Sequence, residues 1–187
     1  MPHIHNQKGQ HDSTISAYII RTDFPEPKIV MHIHKKLGKI LPFGGHIELN
    51  EDPWQALEHE ILEESGYEMD QLKVLQPKIR IKKLSDVKLH PVPFVVNTHS
   101  VDYGDNLHYH SDLNYALTTS SWPRSSIAEN ETSELLLLTR TEVQNLGHDK
   151  MYPNTKEIIT YIFDEFLMNS EAVLSTEYVN MDKYNEN

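Results

Sequence analysis

The chain has 187 residues, a length that fits one domain with a full hydrophobic core. Its net charge of −11, without a basic stripe, disfavours nucleic acid as the main partner. The absence of cysteine excludes disulfides, a thiolate nucleophile and a cysteine-based zinc site. No apolar run approaches the ~20 residues of a membrane span, and the first residues lack the apolar core of a secretion signal. We therefore expect no membrane partner and a cytoplasmic location.

The predicted elements place strands on both sides of one central helix. In chain order they are strands at residues 14–21 and 28–34, a short strand through Ile47, a helix after Asp52, strands at 72–75, around 78–81, at 91–101, 107–119 and 134–139, and helices at 141–146 and 154–168. The strands at 91–101 and 107–119 are expected to form a hairpin across residues 102–106. This order predicts an α/β fold, an α/β/α sandwich with a mixed β-sheet.

The same sequence patterns divide the chain into three segments. Residues 1–12 are polar and are expected to be mobile. Residues 13–169 are predicted to form a single domain, and residues 170–187 a C-terminal tail that could dock on a partner.

The helix after Asp52 has clear signals at both ends. Asp52 suits the N-cap, Pro53 suits the first helical position, and Gln55 has the spacing of a capping box. Gly66 suits a left-handed C-terminal cap. The apolar residues at helical spacing predict a buried stripe made of Trp54, Leu57 and Ile61.

A second stripe of this helix is acidic. Glu60, Glu63 and Glu64 stand at i, i+3 and i+4, so their carboxylates share one face and repel each other. Clustered hard oxygen ligands suit Mg²⁺ or Mn²⁺. The alternative is an acidic helix face that water solvates.

The spacing around the helix follows a specific pattern. Gly45 is followed after five residues by Glu51, and after seven more by the run HEILEESGY. Six fixed glycine or glutamate positions match by chance at a frequency on the order of 10⁻⁷ per start point. Residues 45–67 resemble the signature of the Nudix hydrolase superfamily, Gly-x5-Glu-x7-Arg-Glu-aliphatic-x-Glu-Glu-x-Gly-hydrophobic. His59 stands where that signature has arginine.

The resemblance implies the Nudix fold and a hydrolase that cleaves the diphosphate linkage of a nucleoside diphosphate joined to another moiety. It implies Mg²⁺ or Mn²⁺ held by Glu60, Glu63 and Glu64, with the Gly45 carbonyl as a further candidate ligand and Gly44 beside it. Glu51 and His59 are expected to orient these ligands, and Glu48 is expected to lie behind them. A histidine replaces a permanently charged arginine only in part at neutral pH, so His59 predicts a reduced rate or a changed pH dependence.

A further carboxylate from a late loop often serves this family as ligand or general base. The segment ENETSELLLLTRTEV resembles the stretch before the family's last core strand, which makes Glu131 the catalytic candidate there and Glu129 the alternative. Both also fit an ordinary acidic loop. The base itself is predicted to be Glu60 or Glu131.

Two other groups are candidates for binding substrate. His108, His110 and Asp112 fall on one face of a predicted strand, where they suit hydrogen bonding, substrate contact or a metal, and His90 could join them. A subset of Nudix proteins resembles this chain here as well, with Gly-Gly-His and a later His-x-His-x-Asp. Arg80 and Lys82 are the basic candidates for a substrate phosphate, although such residues also occur on solvated strand ends.

Two alternative functions are compatible with the same fold. A protein that binds or senses a nucleotide without cleaving it is favoured by His59 and disfavoured by the three intact glutamates. Isomerisation of an isoprenoid diphosphate is disfavoured by the missing cysteine. Sugar nucleotides, dinucleoside polyphosphates, modified nucleoside triphosphates and capped RNA ends all remain open as substrates, and the resemblance allows a homodimer.

Overall fold

A mixed β-sheet passes through the centre of the molecule in the computed structural model, which describes residues 8–101, 107–129, 131 and 134–179. Nine strands and five α-helices lie in these residues. The strands are β1 (His11–Arg21), β2 (Lys28–Ile33), β3 (Ile40–Leu41), β4 (Phe43–His46), β5 (Lys73–Pro77), β6 (Val95–Val101), β7 (His108–Thr119), β8 (Leu135–Leu138) and β9 (Ser170–Leu174). The helices are α1 (Pro53–Ser65), α2 (Arg140–Asn145), α3 (Pro153–Tyr161), α4 (Leu167–Asn169) and α5 (Thr176–Val179).

Strands β1 and β7 are parallel neighbours at the centre of the sheet, paired from His11–Tyr109 to Arg21–Thr119. The main order of strands is β3-β2-β1-β7-β5-β9, and the other pairings are antiparallel. Strand β4 pairs with the first half of β1, β6 with the first half of β7, and β8 with β2. A parallel central pair with antiparallel flanks is the mixed sheet that the sequence predicted.

Helices cover both faces of this sheet. Trp54, Leu57 and Ile61 of α1 are almost completely buried in one core cluster with Ile15 and Ala17 of β1. Burying each large apolar side chain contributes about 1.5–3 kcal/mol. The predicted apolar stripe of α1 is therefore confirmed.

The opposite face of β1 packs against the C-terminal helical segment. Tyr18 and Ile20, which alternate with the α1-facing residues, share a second core cluster with Ile159 and Ile162. One helical layer lies on each face, so the predicted α/β/α sandwich is confirmed.

The ends of α1 form as the sequence predicts. The Asp52 carboxylate accepts hydrogen bonds from the amides of Trp54 and Gln55, and the Gln55 side chain accepts one from the Asp52 amide. Gly66 ends the helix in the left-handed conformation with φ 71°, and its amide donates to the Leu62 carbonyl at 3.0 Å. Both cap predictions are confirmed.

Two predicted elements differ from the structure, and a third is only partly described. The strand expected around residues 78–81 is absent, since that segment is irregular. The helix expected at 154–168 is α3, a π-helical turn at Ile162–Phe166 and α4. The predicted hairpin is present as β6 and β7, and its turn at 102–106 lies outside the described residues.

Both predicted terminal segments contribute to the sheet. Strand β1 begins at His11, inside the segment expected to be mobile. Ser170–Leu174, placed in the tail by the sequence, is strand β9 and pairs with β5 along its length. The tail prediction missed this strand because the partner of an edge strand is not readable from local sequence. Among the described residues, no helix is both long enough and apolar enough to cross a bilayer.

Replacing Gly66 tests the end of α1. In Gly66→Ala the residue keeps an unfavourable positive φ, and its Cβ would lie 2.2 Å from the Ser125 carbonyl oxygen. We expect a loss of roughly 2–5 kcal/mol in the free energy of unfolding, measured by urea denaturation. Gly38→Ala is the matched control, because Gly38 has φ 61° with nothing within 4 Å of such a Cβ. It should lose only about 1–2 kcal/mol, and equal losses in the two variants would contradict the contact with Ser125.

Candidate functional site

The acidic face of α1 buries two of its three glutamates. Glu60 and Glu64 are 3 % and 5 % exposed, whereas the Glu63 side chain is about half exposed. Buried carboxylates carry a large free-energy penalty unless a cation or hydrogen-bond donors offset their charge.

Glu64 is anchored to strand β4. The Gly44 amide donates to Glu64 Oε2 at 2.8 Å, and His32 Nε2 lies 3.9 Å from the same oxygen. Burial raises the pKa of Glu64 to about 9, although the Gly44 hydrogen bond acts in the opposite direction. Burial also lowers the pKa of His32 to about 4, so the imidazole is neutral at pH 7 and would not offset the charge of an ionised Glu64.

Glu60 has less support from donors. Burial, followed by the charges of neighbouring glutamates, raises the pKa of Glu60 to about 7 despite the opposing influence of His59. Its Oε1 is buried and has no hydrogen-bond partner among the described residues. An oxygen atom of this kind, next to two further carboxylates, fits the hard ligand set of Mg²⁺ or Mn²⁺.

His59 lies between Glu51, in the loop before α1, and Glu63, on α1 itself. Its Nε2 lies 2.9 Å from Glu63 Oε1, and its Nδ1 lies 3.8 Å from Glu51 Oε2. Burial lowers the pKa of His59, but the hydrogen bond to Glu63 and the charges of Glu63, Glu60 and Glu51 together raise it above its ordinary value. The histidine is thus placed between the two glutamates that the signature arginine is expected to orient.

Gly44 and Gly45 bring the backbone of β4 close to these carboxylates. Gly44 has φ 151°, and a Cβ at this position would lie 2.1 Å from the Ile15 carbonyl oxygen, so only glycine fits. Gly45 pairs with Ile15 across the strands. Glu48 follows on the loop, and its amide donates to Glu51 Oε1 at 3.0 Å, which fixes the Glu51 side chain beside His59.

The late loop docks on the C-terminal end of α1. The Ser125 amide donates to the Gly66 carbonyl at 3.0 Å, and the Ala128 amide donates to the Glu63 carbonyl at 2.9 Å. The Glu131 amide then donates to the Ala128 carbonyl. This chain of contacts brings Glu131 near the site, since its charge helps to raise the pKa values of Glu60 and Glu64. Glu129, the alternative, is exposed.

The structure does not bring Arg80 and Lys82 to the acidic face. Arg80 donates to Glu171 of β9 and to the Pro77 carbonyl, and Lys82 Nζ lies 3.1 Å from Glu171. Strand β9 is the edge of the sheet, three strands from β1. Their expected role at a substrate phosphate therefore has no support from this placement, because the segment folds back onto an edge strand that the sequence did not predict.

Strand β7, which pairs with β1, carries His108 and His110, the two histidines predicted to contact substrate. His108 is fully buried, and its ring centroid lies 5.2 Å from that of His110. Asp112 accepts hydrogen bonds from the hydroxyls of Thr14 at 3.0 Å and Ser16 at 2.9 Å. His90 does not join them, since its Nδ1 lies 3.9 Å from Asp52 at the start of α1.

Sequence reasoning missed three residues of this region. His32 lies beside Glu64, while Asp12 and His46 lie beside His110. Asp12 was assigned to the mobile segment, although its even spacing with Thr14 and Ser16 is the alternation of a polar strand face. That spacing was the available signal, but only the pairing of β1 with β7 shows its partner.

Comparison with known proteins found several solved structures of similar fold. A NUDIX-family hydrolase from Clostridium perfringens is 32 % identical, with a TM-score of 0.65, over 82 % of this chain and 96 % of that one. An Ap4A hydrolase from C. elegans is 15 % identical, with a TM-score of 0.56, over 84 % and 98 % of the two chains. The E. coli dihydroneopterin triphosphate pyrophosphohydrolase is 12 % identical, with a TM-score of 0.57, over the same shares. No protein-family model and no curated sequence matched.

The buried glutamates predict a pH dependence of stability in protein stripped of divalent cations. Their pKa values of about 7 and about 9 in the folded state exceed the ordinary value of 4.5. The folded protein therefore holds these protons more tightly, so their contribution is complete below about pH 4.5 and is lost as pH rises through 7 and 9. We expect the free energy of unfolding in chelator to fall between pH 5.5 and 9.

Glu64→Gln isolates this effect, because the amide oxygen can still accept from Gly44 while the charge is gone. Urea denaturation at several pH values should show a flatter decline in this variant than in the wild type. Glu157→Gln is the control, since Glu157 is exposed on α3. If stability declined as steeply with pH in Glu64→Gln as in the wild type, the charge of Glu64 would not be a source of the decline.

Proposed function

Because this chain belongs to the Nudix hydrolase family, we propose that it cleaves the diphosphate linkage of a nucleoside diphosphate joined to another moiety. The family assignment makes the chain a pyrophosphohydrolase, which acts on acid anhydrides. The observation that carries the proposed chemistry is the buried Glu60 Oε1 without a hydrogen-bond partner, beside Glu63 and Glu64. Such a cluster is stable in its charged form only when a cation joins it.

The proposed cation is Mg²⁺ or Mn²⁺, held by Glu60, Glu63 and Glu64 with the Gly45 carbonyl as a further ligand. Nudix hydrolases generally need divalent metals, and the all-oxygen donor set supports a hard ion over zinc. When bound, this ion would neutralise charge on the diphosphate and lower the pKa of a coordinated water.

The remaining roles belong to side chains around these ligands. A glutamate accepts the proton of the attacking water, and the candidates are Glu60 and Glu131. Glu60 lies on the acidic face of α1 itself. Glu131 is the second candidate, supported by its loop contact to the Glu63 carbonyl through Ala128. His59 and Glu51 hold Glu63 in place, and Glu48 fixes Glu51 through its amide.

The alternative of a nucleotide sensor depended on His59. The contact of His59 with both Glu51 and Glu63 supports a working site, since the bridge expected of arginine is present. Phosphate release from a panel of diphosphates with Mg²⁺ or Mn²⁺ separates the two functions. The panel takes in sugar nucleotides, dinucleoside polyphosphates, modified nucleoside triphosphates and capped RNA, and binding without metal-dependent release would favour the sensor.

Removing the charge of single glutamates tests the ligand assignment. Glu63→Gln and Glu64→Gln should each lower kcat by about 10²–10³-fold, because amides are poor ligands and poor bases. Glu165→Gln, exposed on the π-helical turn, is the control and should keep its rate. Steady-state kinetics on the best substrate of the panel give the measurement, and full activity in both glutamine variants would refute the assignment.

Replacing His59 tests its bridging role. His59→Ala should lower kcat by about 10–100-fold, the usual effect of losing a residue that orients metal ligands. His59→Arg should retain or raise the rate, because a guanidinium can pair with both Glu51 and Glu63. His148→Ala, exposed after α2, is the control. Unchanged rates in His59→Ala would mean that the bridge has no role in turnover.

A further inference from the structure

A second cluster of metal-binding side chains lies outside the acidic face of α1. Asp12, His46 and His110 each offer one ligand atom, and these atoms all lie within 4.8 Å of one another. The ring centroids of His46 and His110 are 4.8 Å apart. None of these residues takes part in the glutamate site proposed above.

Three neighbouring strands hold the three side chains. His46 of β4 pairs with Thr14 of β1, and Asp12 of β1 pairs with His110 of β7. Residues opposite each other on paired strands project to the same face. The ligand atoms are therefore brought together by backbone hydrogen bonding, which makes the cluster preorganised.

This cluster lies on the side of β1 away from α1. Asp12 has the same parity along the strand as Tyr18, which belongs to the core cluster with Ile159 of α3. Ile15 has the opposite parity and packs with Trp54 of α1. The glutamates of α1 and the Asp12 cluster therefore lie on opposite sides of β1.

One distance between two ligand atoms of the cluster matches that of a tetrahedral metal site. Asp12 Oδ2 lies 3.5 Å from His46 Nε2, close to the ~3.4 Å between two ligands of a tetrahedral zinc with bonds of about 2.0–2.1 Å. It is longer than the ~2.7–2.9 Å of a charge-assisted hydrogen bond. A shared cation explains this separation better than a direct ion pair does.

Burial supports the same conclusion. Asp12 is 1 % exposed and His46 is 9 % exposed, so a carboxylate and an imidazole are held together away from water. A divalent cation would offset the buried carboxylate charge. Asp112 is left out of the set, because its two oxygens already accept from Thr14 and Ser16.

We propose that Asp12, His46 and His110 form a second metal site, selective for Zn²⁺ and similar transition-metal ions over Mg²⁺. Two imidazoles and one carboxylate suit such borderline ions, whereas Mg²⁺ prefers oxygen alone. Three protein ligands leave one position open for water or an oxygen atom of a bound molecule. The chain then carries a hard-ion site on α1 and a softer one on the sheet.

Zinc binding to the full-length chain tests the proposal. The background is the Glu60→Gln/Glu63→Gln/Glu64→Gln variant, stripped with a chelator, so that the α1 site does not contribute. Titration with Zn²⁺ against a chromophoric chelator should give about one ion per chain, and millimolar Mg²⁺ should not displace it. Co²⁺ in place of Zn²⁺ should add the visible absorption of a four- or five-coordinate ion.

Variants of the ligands decide the outcome. His110→Asn and Asp12→Asn, added singly to this background, should each weaken zinc binding at least about 10-fold, with thermal unfolding in chelator showing that both are folded. His148→Asn and a His3→Asn/His5→Asn double variant are controls that should bind as the background does. Zinc binding that survives in Asp12→Asn and His110→Asn, or that is lost in the His3/His5 control, would overturn the proposal.

Discussion

The hydrogen bond from the Gly44 amide to Glu64 ties the acidic helix to the sheet. It forms because Gly44, with φ 151°, lets β4 lie so close to β1 that any side chain would collide with the Ile15 carbonyl. The same contact buries Glu64 and aligns the acidic face of α1 with the glycine backbone. The close approach of β4 to β1 and the attachment of Glu64 to the sheet therefore both depend on one residue without a side chain.

The parts of the fold that the sequence predicts are those specified by local contacts. The cap residues of α1 interact within the helix that they delimit, and the apolar stripe of Trp54, Leu57 and Ile61 follows from helical period alone. The acidic cluster is likewise contained in one segment of chain. For this reason the sequence alone places Glu60, Glu63 and Glu64 together on α1, and their role as metal ligands stays a prediction.

The parts that the sequence did not predict depend on pairing between distant segments. The sequence predicts Arg80 at the substrate phosphate. In the structure it pairs with Glu171 on β9, a strand within the segment that the sequence predicts to be a tail. Asp12 is not among the predicted site residues, because only the pairing of β1 with β7 brings it beside His110. His90 lies beside Asp52 for the same kind of reason, since its loop returns to the start of α1.

The parallel pairing of β1 with β7 also sets an order of assembly. Gly44 and Glu64 are 20 residues apart, whereas Thr14 and Asp112 are 98 residues apart. Closing the longer loop costs more entropy and is slower. A chain emerging from the ribosome can thus join β4 to α1 well before β7 exists to complete the centre of the sheet. The cluster of Asp12, His46 and His110 on β1, β4 and β7 is therefore expected to assemble later than the contact of Glu64 with Gly44.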